Sequence, residues 1–558
     1  MQDNSYDYII VGAGSAGCVL ANRLSEDSSC RVLLLEAGEP DNHPLIHMPI
    51  GWSQLVSNEK FNWRYYSEPE PGLNDRRIPV PRGRGLGGSS SINGMVYIRG
   101  QAEDYDDWAA AGCTGWSYAD LLSYFKRSEN FEPTGAGPYH GANGPLNVSE
   151  PRIENKLSDL YIEAAIEAGH PRNPDFNGVS QEGVGYFHVN QKNGRRHSAA
   201  AAYLKPVKNR QNLHIHTGAL ASGIHFQRGR AVAVSYRSGQ ETCKVLAGKE
   251  IILCGGAINT PALLELSGVG RRDVLAKAGI EPVHELPGVG ENLQEHLTCS
   301  VQYKVHNATT MREQARPLGL IKNLLRYLFT RRGLLTAPAA TVGAFLPGQG
   351  DTRPAYQIHF AAGVGEVDDK GNTISAGFPG VTSTGCVLRP NSRGSVHVHS
   401  ANPQQAPHIR FNFLDSEEDR RRMIEIIRLQ RDIFKSPAYN AHRGEEYLPG
   451  SQVQSDAEIL EYIRQNAHSV YHPVGTCKMG IDDSAVVDPQ LRVRGVRGLR
   501  IADASVFPSL ISGNTHATCV VIGEKCADLI RQPSPQSDKT NASNSRGVNS
   551  SVMNHETA

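Results

Sequence analysis

The stretch "YHPVGTCKMG", residues 471–480, sets an imidazole, His472, directly before a proline and a run of small residues. Imidazole is the side chain whose charge changes near neutral pH, so it can take a proton from a hydroxyl during a reaction. A histidine held beside a turn for packing is the other reading, and the stretch alone leaves both open. Farther on, "SGNTHAT" (512–518) offers Asn514 and His516. An amide such as Asn514 can hydrogen-bond a substrate oxygen and hold the reacting C–H in one direction. In an extended segment His516 would share a side with Asn514, which makes it a candidate for the pocket wall. His296, in "LQEH", reads as structural.

Gly12, Gly14 and Gly17 spell G-x-G-x-x-G between the apolar run "YIIV" and the helix-patterned "CVLANRLSE". Glycines at these places allow a tight turn, close approach of backbone to a pyrophosphate, and close helix–strand packing. The helix start offers unpaired N–H groups to phosphates. Glu36 ends the next apolar run, "RVLLLEAG", 24 residues after Gly12, where it can accept hydrogen bonds from a ribose. Residues 7–36 therefore read as a βαβ unit with a nucleotide site, and the motif by itself does not separate FAD from NAD.

Other elements must position these groups. Residues 76–100 form a Gly- and Ser-rich loop suited to wrapping a ligand. Residues 214–254 alternate as strands, with turns at "RGR" and "RSGQ", and end in "EIILC". One helix begins near Asp415–Ser416, carries a stripe of Met423, Ile426, Ile427, Ile433 and Phe434, and stops at Pro437. Another, "LGLIKNLLRYLFTRRG" (318–333), sets Leu320, Ile321, Leu324, Leu325 and Leu328 on one side among Lys322, Arg326, Arg331 and Arg332. It reads first as a lid or packing helix; the basic amphipathic pattern also suits an anionic membrane surface near a quinone.

The chain has 558 residues, room for two or three domains, and its 57 basic residues balance 57 acidic ones. Without a basic surplus a nucleic-acid partner is not expected. Ten cysteines form no C-x-x-C pair, which argues against a zinc site or a redox disulfide and for buried thiols in a cytoplasmic chain. The N-terminus lacks a signal-peptide pattern, and no apolar run approaches the roughly 20 residues of a spanning helix. From about residue 532 the chain is polar and is expected to be disordered.

Five segments together resemble the glucose-methanol-choline (GMC) oxidoreductase family: "GRGLGGSSSIN" (83–93), "GAINTPALLELSGVG" (256–270), "GVGENLQEH" (288–296), "YHPVGTCKMG" and "IADASVFPSLISGNTHAT" (501–518). They stand in family order along nearly the whole chain. The resemblance implies an α/β plus α+β architecture. A Rossmann-like FAD-binding domain (1–156, 214–300 and 465–531) is interleaved with an antiparallel-sheet substrate domain (157–213 and 301–464).

It further implies oxidation of a primary or secondary alcohol, aliphatic or sugar-type, to the carbonyl. His472 takes the hydroxyl proton, Asn514 is its partner, and hydride passes to flavin N5. FAD contacts are implied at Gly12, Gly14, Ser15, Gly17 and Glu36, and in the loop at Gly88, Ser89, Asn93, Gly94, Met95 and Val96. Ala221, Asp503 and Thr515 complete the set, with a helix N-cap the other role for Asp503. Ile92 falls where some members attach flavin to a histidine, so the FAD is expected to be non-covalent. Choline-type members carry an acid two residues after the "LQDH" histidine; Thr298 stands there, which points away from choline. A hydroxynitrile-type lyase and a choline-type dehydrogenase are the alternatives. The acceptor would be a quinone, a redox protein or oxygen, and the setting cytoplasmic, with peripheral contact at the inner membrane face as a further option.

Overall fold

The computed structural model describes residues 4–367 and 373–532; the tail expected to be disordered lies outside them. The apolar run near the N-terminus forms the strand Ser5–Val11, flanked in parallel by Val32–Leu35 and Glu241–Leu253. Ile9, Ile10, Leu33, Leu34, Ile251 and Ile252 are fully buried, as strands covered on both faces require. The sheet runs Leu213–His216, Val32–Leu35, Ser5–Val11, Glu241–Leu253, Arg230–Ser238, Ala219–Gln227, with Leu499–Ile501 parallel beside Glu241–Leu253.

Register decides what this sheet can hold. Val11 pairs with Leu35 and with Leu253, and Leu253 pairs with Ile501. Four parallel strands thus stop at one edge, and Gly12, Glu36, Cys254 and Asp503 follow within two residues of it. Open α/β sheets bind ligands at this carboxyl edge. The helix Ser15–Leu24 packs on the sheet and against the last helix, His516–Arg531.

A second sheet is antiparallel throughout: Arg443–Leu448, Leu297–Val305, Gly380–Val387, Tyr356–Ala361, Val342–Leu346, Gly183–Tyr186, with His468–Ser469 also on Leu297–Val305. The helices Lys156–Glu167 and Glu417–Lys435 cover one face. The stripe of Met423, Ile426, Ile427, Ile433 and Phe434 is buried there with Ile358 and Phe360. Period-two alternation turns Gln357 and His359 to the opposite face. Two segments extend across the division read from sequence: Tyr203 and Leu204 pack into the first sheet's core, and Leu297–Val305 belongs to the second sheet from its start.

The helix Pro317–Thr330 departs from the packing expectation. It buries only Asn323 and Tyr327, while Leu320, Ile321, Leu324, Leu325 and Leu328 are all exposed.

Candidate active site

Between the carboxyl edge of the first sheet and the uncovered face of the second lies a cavity of about 480 Å³. That volume falls in the usual range for small-molecule and cofactor sites, roughly 300–1,000 Å³. Of the candidate catalytic, pocket and cofactor-binding residues read from the sequence, all but Gly17 line it. Gly17 instead packs helix against turn: a Cβ there would lie 1.9 Å from the Gly12 carbonyl oxygen.

On the first-sheet side the residues suit a dinucleotide. Gly12 has φ +103°, and a Cβ on it would meet the Cys254 oxygen at 2.5 Å, so the turn requires glycine. Gly14 begins the helix Ser15–Leu24 with no side chain capping its N–H groups, leaving them available to phosphate. Glu36 Oε1 accepts from the N–H of Gly38 (2.8 Å) and Gly85 (3.0 Å), and Oε2 from Ala13 (2.9 Å). A carboxylate has about four lone-pair positions, so one remains for a ribose hydroxyl. Burial holds this carboxyl above its ordinary range, against those three N–H groups.

The Gly-rich loop sits directly on the glycine turn: a Cβ on Gly88 would come within 2.8 Å of the Gly14 Cα. Ser89 Oγ accepts from the N–H of Gly83, and Asn93 Oδ1 from that of Met95 and from Arg196. Gly94 approaches so near to Ala339 that a Cβ would strike it at 2.4 Å. Asp503 takes the capping role twice over: Oδ1 accepts from Ser505 N–H, while Oδ2 accepts from Gly256 N–H and the Thr260 hydroxyl. His516 opens the last helix instead of lying in an extended segment, because Thr515 already has helical φ and ψ. Its Nδ1 is 2.8 Å from Ser15 Oγ, beside the glycine turn.

On the second-sheet side the hydrogen-bond chain assigns a tautomer. His296 Nε2 lies 3.0 Å from the Leu388 carbonyl, which can only accept, so that nitrogen carries hydrogen. Neutral His296 then accepts at Nδ1, 3.1 Å from Nδ1 of His472, which must donate. Nε2 of His472 is left with its lone pair, 3.0 Å from Nδ2 of Asn514. Gln357 Nε2 donates to Oδ1 of Asn514 (3.1 Å), which turns the amide nitrogen toward His472. A neutral imidazole with its lone pair on the cavity side is a proton acceptor placed to act as general base.

Both matching family models are described as GMC oxidoreductase; they cover residues 6–298 and 390–523. The chain belongs to the GMC oxidoreductase family. It is 46% identical to an alcohol dehydrogenase (acceptor) of Pseudomonas putida, over 94% of this chain and 95% of that one. It is 43% identical to an oxygen-dependent choline dehydrogenase of Pectobacterium atrosepticum, over 95% and 96% of the two chains. Its fold matches an FAD-dependent oxidoreductase from Chaetomium thermophilum with a TM-score of 0.86 at 30% identity, over 94% and 99% of the chains.

Several residues of this GMC oxidoreductase's site escaped sequence reading. Glu295 accepts from the backbone N–H of His296 and of His472, each at 2.8 Å, and from the Ser469 hydroxyl at 2.8 Å. It pins both histidine segments together; burial pushes its carboxyl up to about 7, with Arg82 the largest opposing influence. His359 and Gln357 were signalled by the polar alternation of "YQIHFA" in an otherwise apolar strand. Nδ1 of His359 and Nε2 of His516 line the cavity without a protein partner, and burial drives both rings down to about 4. Buried unpaired polar atoms cost on the order of 1–3 kcal/mol each, which a polar ligand would offset.

The His472 pKa lies well below 6.5, through burial first and then the neighbouring His296, His359 and Arg82. A depressed pKa keeps the ring neutral, and so able to accept a proton, as pH falls through 6.5. The kcat/KM profile is expected to stay level as pH falls through the ordinary histidine value of 6.5 and to decline only well below it. An acid limb centred at or above the ordinary histidine value would contradict this assignment.

Proposed function

We propose that the protein oxidises an uncharged primary or secondary alcohol, aliphatic or sugar-type, to the carbonyl, with non-covalent FAD as cofactor. The observation that carries this reading is the lone pair of His472 Nε2, held beside Asn514 Nδ2 in the cavity that the glycine turn also lines. FAD, when bound, supplies the hydride acceptor. Gly12, Gly14, Ser15, Glu36, Ala221 and Asp503 would hold it from the first sheet, with Gly88, Ser89, Asn93, Gly94, Met95, Val96 and Thr515 around it. Gly17 serves that group indirectly, by setting the helix close to the turn. The division of labour follows the two sheets, the first for the nucleotide and the second for the substrate.

His472 takes the hydroxyl proton at Nε2, which matters because an alkoxide is a far better hydride donor than an alcohol. Asn514 donates to the same oxygen and restrains its orientation. The buried walls keep water away from the reacting groups. His516 stands at the nucleotide side, beside Ser15.

Thr298 supports an uncharged substrate: its hydroxyl donates to the Gly385 carbonyl at 2.9 Å, and the only acids lining the cavity among the described residues are Glu36 and Asp503. A choline-type substrate is the second reading, favoured by the aromatic walls of Trp52, Trp63, Tyr65 and Tyr471, whose faces attract quaternary ammonium groups. A hydroxynitrile-type lyase would share the His472–Asn514 pair without net redox change. We place the protein in the cytoplasm, in line with its ten unpaired cysteines, with peripheral membrane contact and a quinone, redox protein or oxygen as acceptor. Among the described residues no helix is long and apolar enough to cross a membrane.

Ile92 lines the cavity and offers no nucleophile for a flavin link. Acid denaturation is therefore expected to release all the flavin into the supernatant, and flavin left on the precipitated chain would refute non-covalent binding. The reading as a whole is tested by anaerobic titration with uncharged alcohols and choline, followed at the flavin absorbance band. Bleaching by uncharged alcohols supports it, bleaching by choline alone moves the substrate to the second reading, and a band unchanged by every alcohol rejects oxidation.

A further inference from the structure

We propose that the helix Pro317–Thr330 is a docking element for an anionic phospholipid surface. This helix is inverted relative to ordinary packing. Its polar Asn323 faces the protein, where Nδ2 donates to the carbonyls of Gln314 and Gly319 and Oδ1 accepts from Leu334 N–H. One turn on, Tyr327 is the other buried residue. Leu318, Ile321, Leu324, Leu325, Leu328 and Phe329 take the solvent side, with Leu318 at 85% and Phe329 at 84% exposure. Seven of the fourteen large apolar side chains exposed among the described residues fall in this one helix. Contiguous apolar surface of this kind on a folded protein marks an interaction site.

Charge selects the occupant. Over residues 312–332 the chain carries six basic side chains and one acidic one, in a protein whose 57 basic and 57 acidic residues otherwise cancel. Arg312 is engaged by Glu313 and Arg332 by Glu154, but Arg316, Lys322 and Arg326 have no ion pair among the described residues. Apolar side chains facing outward with unpaired cations beside them match the interface of a bilayer that bears negative headgroups. A second copy of the chain fits less well, since a two-fold contact through this helix would set like charges against each other. The 26 residues beyond Gln532 hold only Val548, Val552 and Met553 as large apolar side chains, too few to cover the face.

The test is vesicle flotation of the flavin-loaded protein. Phosphatidylcholine vesicles containing phosphatidylglycerol are compared with phosphatidylcholine alone, at low and high salt. Binding is expected to the anionic vesicles, to weaken with salt, and to fall at least about tenfold in an Ile321→Asp/Leu325→Asp variant. Alcohol oxidation with a soluble dye acceptor should be unchanged in that variant, because both residues lie outside the cavity lining. A second variant, Lys322→Glu/Arg326→Glu, should bind anionic vesicles more weakly while keeping its apolar face. Absence of wild-type binding at low salt, equal binding by the variants, or a wild-type dimer that the aspartates dissolve would each overturn the proposal. Failure of alcohols to reduce the flavin would instead count against the reading of the active site and leave the vesicle result standing.

Discussion

Replacing His472 by alanine is expected to slow anaerobic flavin reduction by alcohol on the order of 10²-fold or more, the scale of a lost general base. The expectation rests on a chain of donors and acceptors, not on proximity alone. The Leu388 carbonyl sets the His296 tautomer, and His296 leaves the lone pair of His472 on Nε2, toward Asn514. A wrong tautomer presents N–H where a base is needed, which disables a histidine base even when its geometry is intact. His296→Leu should therefore also slow reduction, by less, since it removes the acceptor for His472 Nδ1. It should shift the acid limb of the pH profile upward as well, because His296 is one of the groups that depress the His472 pKa. That shift separates a positioning role from mere damage to packing. Reduction by His472→Ala at a near-normal rate would remove the histidine from the mechanism.

Gly17→Ala is expected to be the most damaging single-carbon change at the nucleotide side. The added Cβ would lie 1.9 Å from the Gly12 carbonyl oxygen and 3.2 Å from the Cys254 Cβ. No rotamer relieves a clash made by Cβ itself, so the helix Ser15–Leu24 must move off the strand. Overpacking of this kind typically costs about 1–3 kcal/mol, and the displaced helix no longer presents its N–H groups to phosphate. A lowered Tm and protein isolated without flavin are the expected results. Gly14→Ala is the control. Gly14 has φ −75°, open to any residue, and its Cβ would meet only the Cys254 oxygen, at 3.7 Å. Its Tm should stay close to that of the parent. Wild-type Tm and flavin content in Gly17→Ala would show that the close approach is not needed.

Both sites were legible in the sequence to different depths. The glycine turn, its strand and helix, and the stripe of Met423 to Phe434 are local patterns, and the structure places them where periodicity expects. His472 and Asn514 came through family resemblance, and they lie together although 42 residues separate them. The network behind them was not legible. His296 was read as structural, yet it touches His472 across 176 residues of chain. Glu295 joins the two segments through backbone N–H groups, whose positions no residue pattern encodes.

The helix Pro317–Thr330 shows the same limit from the other side. Its 3.6-residue periodicity established an apolar stripe, but periodicity is unchanged by rotation about the helix axis. Only the tertiary structure, by giving Asn323 backbone partners, turned that stripe outward. The sequence by itself determined the elements and the stereochemistry of the turn, because both depend on neighbours a few residues apart. The tautomer of the base, the committed acids of the cavity and the exposed face of the helix were decided by contacts between distant segments, which exist only once the two sheets have packed.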